Sequence, residues 1–334
     1  MLIFVVRRVV ALCLMVLGMS AVMFVVTHVL PANPAQVAAG PGATKAQVAI
    51  VAHRMGLDKP LVTQYVSYVE GLVRLDLGTS LTSGEPISDE LEASLPVTIE
   101  FVAMSVILMI LIAIPFGLIA AVVKKRWMDA LIRFIALVGT GIAPFWLAII
   151  LQLIFYQGLH ILPVGGQIDP TLAPPAHITG MYIVDSALSG NWRDLGSSLQ
   201  HAILPVVALT LGQLGILVRI VRVQTLAVLR NDYVRTARAK GLGETAVLFR
   251  HVLRNAWNPI LTQLGVQSGY LLTGAVFVEA IYRLPGLGLY TMNAVGNLDF
   301  TALTGVALFL SVMFIVINFI VDLLYSILDP RVQV

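Results

Sequence analysis

The residues that could do chemistry in this chain do not assemble into a reaction. Six histidines, His28, His53, His160, His177, His201 and His251, are scattered and form no His-Glu-x-x-His or comparable metal-ligand spacing. No Gly-x-x-x-x-Gly-Lys-Ser/Thr sequence occurs, so the chain has no phosphate loop of its own. Gly286-Leu-Gly288 follows Pro285 and reads as a turn, because no βαβ unit surrounds it. No nucleophile elbow is present. The single cysteine, Cys13, lies in an apolar run and reads as a small hydrophobe, leaving the redox compartment undetermined. An intramembrane enzyme is therefore disfavoured, and no metal or cofactor is expected in this chain.

Three ionisable residues fall within apolar segments: Glu100, Glu279 and Asp322. Charges inside a membrane are functional candidates by default. All three lie near segment ends, where reaching the interface costs little, whereas an ion-coupled carrier is expected to place such groups near the midplane. Uphill transport would then need energy from a partner. Uncharged polar residues penetrate further: Gln152, Gln213, Gln263, Gln267, Ser268, Ser311 and Asn318. Gln213, Gln263, Gln267 and Asn318 are candidates to line a translocation path. Hydrogen bonds between helices are the alternative for any one of them.

These residues are positioned by long apolar segments. Of 334 residues, 58% are hydrophobic and 12% charged, against about 25% charged in soluble domains. A helix needs about 20 apolar residues to cross the hydrocarbon core. Six segments qualify, at 9–30, 96–123, 129–156, 201–221, 259–281 and 301–327. Pro115 and Pro144 fall inside two of them and are expected to kink their helices. The first segment follows Arg7 and Arg8, is too long for a signal peptide, and is read as an uncleaved helix. Fifteen of the 21 lysines and arginines fall on one side of this arrangement, which is therefore cytoplasmic, with both termini inside. The formal net charge is +3. Nothing in it points to nucleic acid.

The outer segment 31–95 is too long for a bare loop. Thr44 can cap a helix through Met55 that Gly56 ends. A second helix fits Pro60 to Val73, with Val62, Tyr65, Val66, Val69 and Val73 on one face, and Ser88 can cap a third leading towards Pro96. These helices either pack on the outer mouth or form a docking platform. The outer loop 158–200 shows no strong periodicity. The cytoplasmic segment 222–258 is too polar to span and too patterned to be slack. Asn231-Asp232 can cap a helix from Tyr233, with Arg238 and Lys240 in its last turn and Gly241 at the left-handed C′ position. A second amphipathic helix from Glu244 turns Val247, Leu248, Val252 and Trp257 to an apolar partner and Arg250 and Arg254 to water, and Pro259 opens the next span. The result is a helix–glycine–helix knob that serves either as a membrane-surface element or as a docking element.

The stretch Asp232-Tyr-Val-Arg-Thr-Ala-Arg-Ala-Lys-Gly-Leu242 with Arg250-His-Val-Leu-Arg-Asn255 resembles the EAA loop of bacterial ABC importer permeases. Gly56-Leu-Asp-Lys-Pro60, Asp76-Leu-Gly-Thr-Ser80, Pro285-Gly-Leu-Gly288 and Asp329-Pro-Arg331 match the dipeptide/oligopeptide/nickel branch, and with Arg7-Arg8 and the long first outer loop the chain resembles a B-type dipeptide permease over nearly its whole length. It departs from the general EAA pattern, with Arg235, Thr236 and Ala237 at the Glu-Ala-Ala positions and His251, Leu253 and Arg254 at the later Ile-x-Leu-Pro positions.

The resemblance implies an all-α type I ABC importer permease in the bacterial inner membrane. Its parts would be an N-terminal transmembrane helix (1–30), a structured periplasmic loop (31–95) and a permease core (96–334) that carries the coupling loop 222–258. It implies a C-type permease partner, two ABC ATPases that bind ATP and Mg, and an extracytoplasmic peptide-binding protein. Asp232, Tyr233, Arg235, Thr236, Ala237, Lys240, Gly241, Leu242 and Glu244 would engage an ATPase cleft, with Ala237 and Gly241 small enough to permit close backbone approach. The same scaffold could import nickel, glutathione or haem. An ion-coupled carrier or channel is the reading from another class.

Overall fold

The computed structural model describes residues 2–29, 34–40, 42–54, 56–123, 134 and 141–328. Among them every regular element is helical, and the one strand-like feature is a bridge between Thr79 and Pro86. The helices are α1 (Leu2–Val29), α2 (Pro34–Ala39), α3 (Lys45–Arg54), α4 (Leu61–Val73), α5 (Ile87–Val122), α6 (Pro144–Leu151, continued by a π turn, Gln152–Gly158), α7 (Tyr182–Leu188), α8 (Trp192–Leu229), α9 (Asp232–Ala239), α10 (Glu244–Tyr282, containing a π segment, Val247–Leu253), α11 (Leu287–Gly296) and α12 (Phe300–Leu328). The all-α expectation holds. Among the described residues four helices are long and apolar enough to span: Ile87–Val122, Trp192–Leu229, Glu244–Tyr282 and Phe300–Val321. Cys13–Val25 and Pro144–Gly158 are shorter apolar helices. The first half of the third expected span, 124–133 and 135–140, lies outside the described residues, as do Met55 and the tail from Asp329.

The first unit comprises 1–96 and 285–316. Thr44 caps α3 as expected. Its hydroxyl accepts from Gln47 N at 3.4 Å while Gln47 Oε1 accepts from Thr44 N at 2.8 Å, a reciprocal capping box. Gly56 beyond the helix has φ +70°. Helix α4 starts where expected, and of its expected face Tyr65 packs on α1 while Val69 is half-buried. Tyr65 Oη donates to Leu17 O at 3.3 Å, and Phe24 lies edge-on to Tyr65 at 5.3 Å. Val62, Val66 and Val73 are exposed. Tyrosine prevails over valine here because its hydroxyl can serve polar groups of α1 while its ring packs. The core of this unit is Ile87, Leu91, Leu287 and Val306, flanked by Leu77, Tyr290 and Phe309. Two polar links organise its rim. Asp299, 1% exposed, accepts from Ser80 Oγ (2.7 Å), Thr82 N (3.1 Å) and, as the cap of α12, Ala302 N (3.0 Å). Tyr290 Oη donates to Glu90 at 2.6 Å. Burial, and after it the Glu90 carboxylate, push the Tyr290 phenol well above its ordinary pKa.

The expected third outer helix and second span are one helix, α5, with Pro96 inside it. Glu92, whose carbonyl loses its donor to that proline, is exposed, so water can serve it. The same reasoning covers Pro259, which lies inside α10 rather than opening a span, with Asn255 exposed four residues earlier.

The second unit comprises 97–284 and 317–334. Helices α8 and α10 pack along one another and α6 lies against both. Helix α5 meets α8 closely at Gly117, where a Cβ would stand 2.5 Å from Val221 Cγ1. Arg222 Nε donates to Ala120 O at 3.3 Å, placing a cation at the carbonyl end of α5. Tyr282 Oη donates to Ala148 O at 2.9 Å, tying the end of α10 to α6. Ile107, Leu111 and Phe116 of α5 and Phe277 of α10 are exposed, the outward apolar surface a lipid-embedded helix needs.

Two expectations are corrected here. Pro144 does not kink a continuous helix; it is the first residue of α6, after Ala143 in extended conformation. The outer segment 158–200 is not loop throughout. It holds α7 and the start of α8, which Asn191 caps through its side chain at 3.4 Å from Asp194 N. Asp185 of α7 is 1% exposed and accepts from Thr179 Oγ1 (2.7 Å), Thr179 N (2.8 Å), Gly180 N (3.0 Å) and Ile178 N (3.3 Å). Burial works to raise its pKa. These hydrogen bonds outweigh burial and leave it below the ordinary value.

Candidate functional site

Two places in the second unit combine exposure, polarity and defined geometry. The first is the knob formed by α9 and the start of α10. Of 231–246, Val234 and Ala237 alone are buried, at 0% and 6% exposure, and they seat α9 on the π segment of α10. Asp232, Tyr233, Arg235, Thr236, Lys240, Gly241, Leu242 and Glu244 all face outward. Helix α9 ends in a Schellman motif: Gly241 N donates to Arg238 O at 2.9 Å and Leu242 N to Ala237 O at 3.4 Å. Gly241 has φ +80°, the left-handed conformation that glycine alone adopts freely. A Cβ there would meet nothing within 4 Å. Its requirement within this chain is conformational rather than steric, and Ala237 is buried beneath it. Asn231 stands in the expected cap position with extended backbone but makes no side-chain cap bond.

A clamp across the knob escaped the sequence reading. Arg238 Nε and Nη2 donate to Glu244 Oε1 (2.8 Å) and Oε2 (3.1 Å), a bidentate pair spanning the glycine turn. The signal was present as opposite charges flanking Gly241 and Gly243. Val247 and Val252 are fully buried, as the amphipathic pattern required, while Arg250 and Arg254 are exposed.

The second place is a cavity of about 650 Å³ lined by Gly141, Ile142, Ala143, Pro144, Gly212, Gln213, Ile216, Gln263, Val266, Gln267 and Tyr270. Helix α8 supplies Gln213, α10 supplies Gln263, Gln267 and Tyr270, and the extended break before α6 closes one wall. Three of the four candidate path residues thus meet in one cavity, and Asn318 is not among its lining residues. The other polar candidates bond to backbone: Gln152 to Val164 O (2.6 Å), Ser268 to Leu264 O (2.8 Å) and Ser311 to Ala307 O (2.7 Å). Among the described residues that line it, none is charged. Gln267 is 0% exposed, and neither Nε2 nor Oε1 has a hydrogen-bond partner among the described residues. Leaving a buried polar group unpaired costs about 1–3 kcal/mol. The ionisable candidates lie elsewhere. Glu100 is 4% exposed and accepts from Ile183 N at 2.7 Å, and Glu279 is fully buried. The side chain of Asp322 lies outside the described residues.

Residues 113–334 match the family described as "Binding-protein-dependent transport system inner membrane component", and residues 1–102 match its N-terminal companion, "Binding-prot-dependent transport system membrane comp, N-term". The chain belongs to this family. It is a multi-pass permease of the inner membrane. The permease is 40% identical over 321 residues, 96% of this chain and 94% of the relative, to the probable D,D-dipeptide transport system permease protein DdpB of Escherichia coli K12. It is 39% identical to the dipeptide transport system permease protein DppB of Alkalihalophilus pseudofirmus, with both chains covered completely. It is 33% identical to the glutathione transport system permease protein GsiC of Salmonella typhimurium, covering 100% of this chain and 99% of the relative. In this permease the knob lies between α8 and α10 in the chain, and both of those helices supply walls of the cavity.

Proposed function

We propose that this permease is the B-type half of the transmembrane pathway of an ATP-driven, binding-protein-dependent importer of dipeptides or short oligopeptides. Relatives named for dipeptide transport, covering 96–100% of the chain at 39–40% identity, support the substrate class. Glutathione import is the second reading, carried by a relative at 33%. The uncharged cavity, which offers neither carboxylate nor imidazole, disfavours nickel.

The mechanism follows from the knob. Residues 231–246 form a clamped, glycine-capped projection whose outward residues, Asp232, Tyr233, Arg235, Thr236, Lys240, Gly241, Leu242 and Glu244, are free to seat in an ATPase cleft. Ala237 supports them from beneath. Two companion ATPases hold ATP and Mg and do the hydrolysis; this chain hydrolyses nothing. Their closure moves the knob, and α8 and α10 carry the motion to the cavity walls, rocking the permease between inward- and outward-facing states. A C-type permease forms the other half of the path, to which Gln213, Gln263, Gln267 and Asn318 contribute. An extracytoplasmic binding protein delivers the peptide to the outer segments.

The single observation that carries this reading is the exposed, glycine-capped knob lying in the chain between the two helices that wall the cavity. The test is uptake of labelled dipeptide by the reconstituted complex, competed with longer peptides, glutathione and Ni²⁺. ATP-dependent uptake inhibited by peptides is the expected result. Accumulation by the isolated permease down an ion gradient would refute it.

A further inference from the structure

We infer that Gln267, with Gln213 and Gln263, forms a neutral amide-reading wall that pairs with the backbone peptide bond of the substrate, and not with its charged termini, as it crosses the cavity. This rests on the reading of the cavity as part of the peptide pathway. One observation and two chemical arguments carry it. Three primary amides from two helices line the cavity, and none of its described lining residues is charged. The described lining offers no counter-charge to the ammonium or carboxylate of a peptide terminus, which is served better by water at the open side of the cavity. A primary amide, by contrast, can donate to a peptide C=O or accept from a peptide N–H with no charge on either side, so amides on two helices can serve the two opposite edges of one trans peptide bond.

Gln267 is also fully buried with both amide atoms unpaired, while the other polar candidates of the spans, Gln152, Ser268 and Ser311, have found backbone partners. Native chains pair nearly all buried polar groups. An amide kept unpaired beside a cavity is poised to turn into it and acquire partners there. Tyr270, 59% exposed on the same helix one turn away, adds a ring face on which side chains of varied chemistry can slide. Reading the peptide bond alone makes the wall indifferent to side-chain identity, which leaves side-chain selection to the binding protein.

The test compares uptake of Ala-Ala with that of its depsipeptide isostere, in which an ester oxygen replaces the peptide N–H. The reconstituted importer is used, and each rate is normalised to the substrate's measured affinity for the binding protein. The native complex should prefer the amide by about two- to tenfold, the worth of one hydrogen bond. Gln267→Met keeps the shape and removes the amide. It should bring the ratio close to one, mainly by slowing Ala-Ala, with Tm of the purified complex unchanged or raised because an unpaired polar group is gone. An unchanged ratio in Gln267→Met overturns the inference. A lowered Tm or loss of the companion permease with the ratio intact does so too, because it makes Gln267 a packing or interface residue. If Gln267→Met does not reach the membrane, Gln263→Met is read by the same ratio, and an unchanged value there is equally fatal. Failure of the native complex to import Ala-Ala at all would instead sink the peptide-importer reading.

Discussion

Gly241 allows the knob's two possible requirements to be separated. If glycine is needed for its left-handed backbone, tolerance should follow the ability of a side chain to adopt φ near +80°. If it is needed for room against an ATPase, tolerance should follow size. Within this chain a Cβ at 241 meets nothing within 4 Å, so the first requirement is the one visible here. An ordinary L-residue in this conformation costs about 1–2 kcal/mol, and asparagine less. That cost falls on the Schellman turn and shifts its population about 5–30-fold. Global stability should move little, because the residues around the turn are exposed. In proteoliposomes, ATP hydrolysed per dipeptide imported should therefore rise in the order Gly241, Gly241→Asn, Gly241→Ala, Gly241→Val, with membrane insertion unaffected. Alanine coupling better than asparagine would refute the conformational account in favour of a steric one. Normal coupling in Gly241→Val would refute the docking assignment altogether.

Further outcomes follow from other contacts. Gly117→Val places carbon about where Val221 Cγ1 already sits, 2.5 Å from the ideal Cβ. It should destabilise the detergent-purified permease by about 1–3 kcal/mol or more, read as a fall in Tm. Asp185→Asn removes the charge that four hydrogen bonds favour and should lower Tm of the outer segment. The folded pKa of Asp185 is depressed, so its contribution is present above the ordinary carboxylate range and is lost as pH falls through that range towards the folded value. The native protein should accordingly lose more stability than Asp185→Asn on acidification. The Arg238–Glu244 pair is exposed, at 40% and 57% of its side chains, so a double-mutant cycle should give a coupling below about 1 kcal/mol that shrinks with added salt. Either single variant should nonetheless increase proteolysis within 231–246.

Much of the site could be read from residue order because its determinants are local. The knob's end at Gly241 follows from a glycine after a basic last turn, and the capping box at Thr44 from a glutamine three residues on. The glutamines stood out because polar side chains are conspicuous in apolar helices. Gln213, Gln263, Gln267 and Asn318 could be singled out as path candidates, but that the first three line one cavity without the fourth was not legible. Gln213, Gln263 and Gln267 come together because α8 and α10 pack along one another, whereas Gln152, Ser268 and Ser311 find backbone partners that linear order does not reveal. The expected face of α4 is split for a related reason: its Tyr65 meets a carbonyl on α1, while its Val62, Val66 and Val73 stay exposed.

Local chemistry and hydropathy thus dictated that the chain lies in a membrane and that it carries a capped polar projection between two apolar helices. Those properties depend on short-range forces: transfer of apolar segments out of water, and the backbone preferences of glycine and capping residues. Packing settled the rest. Helices continue through Pro96 and Pro259, the chain breaks before Pro144, and an unpaired amide at Gln267 borders a neutral cavity. Each of these depends on which surfaces meet across distant stretches of chain, a property that no run of neighbouring residues contains.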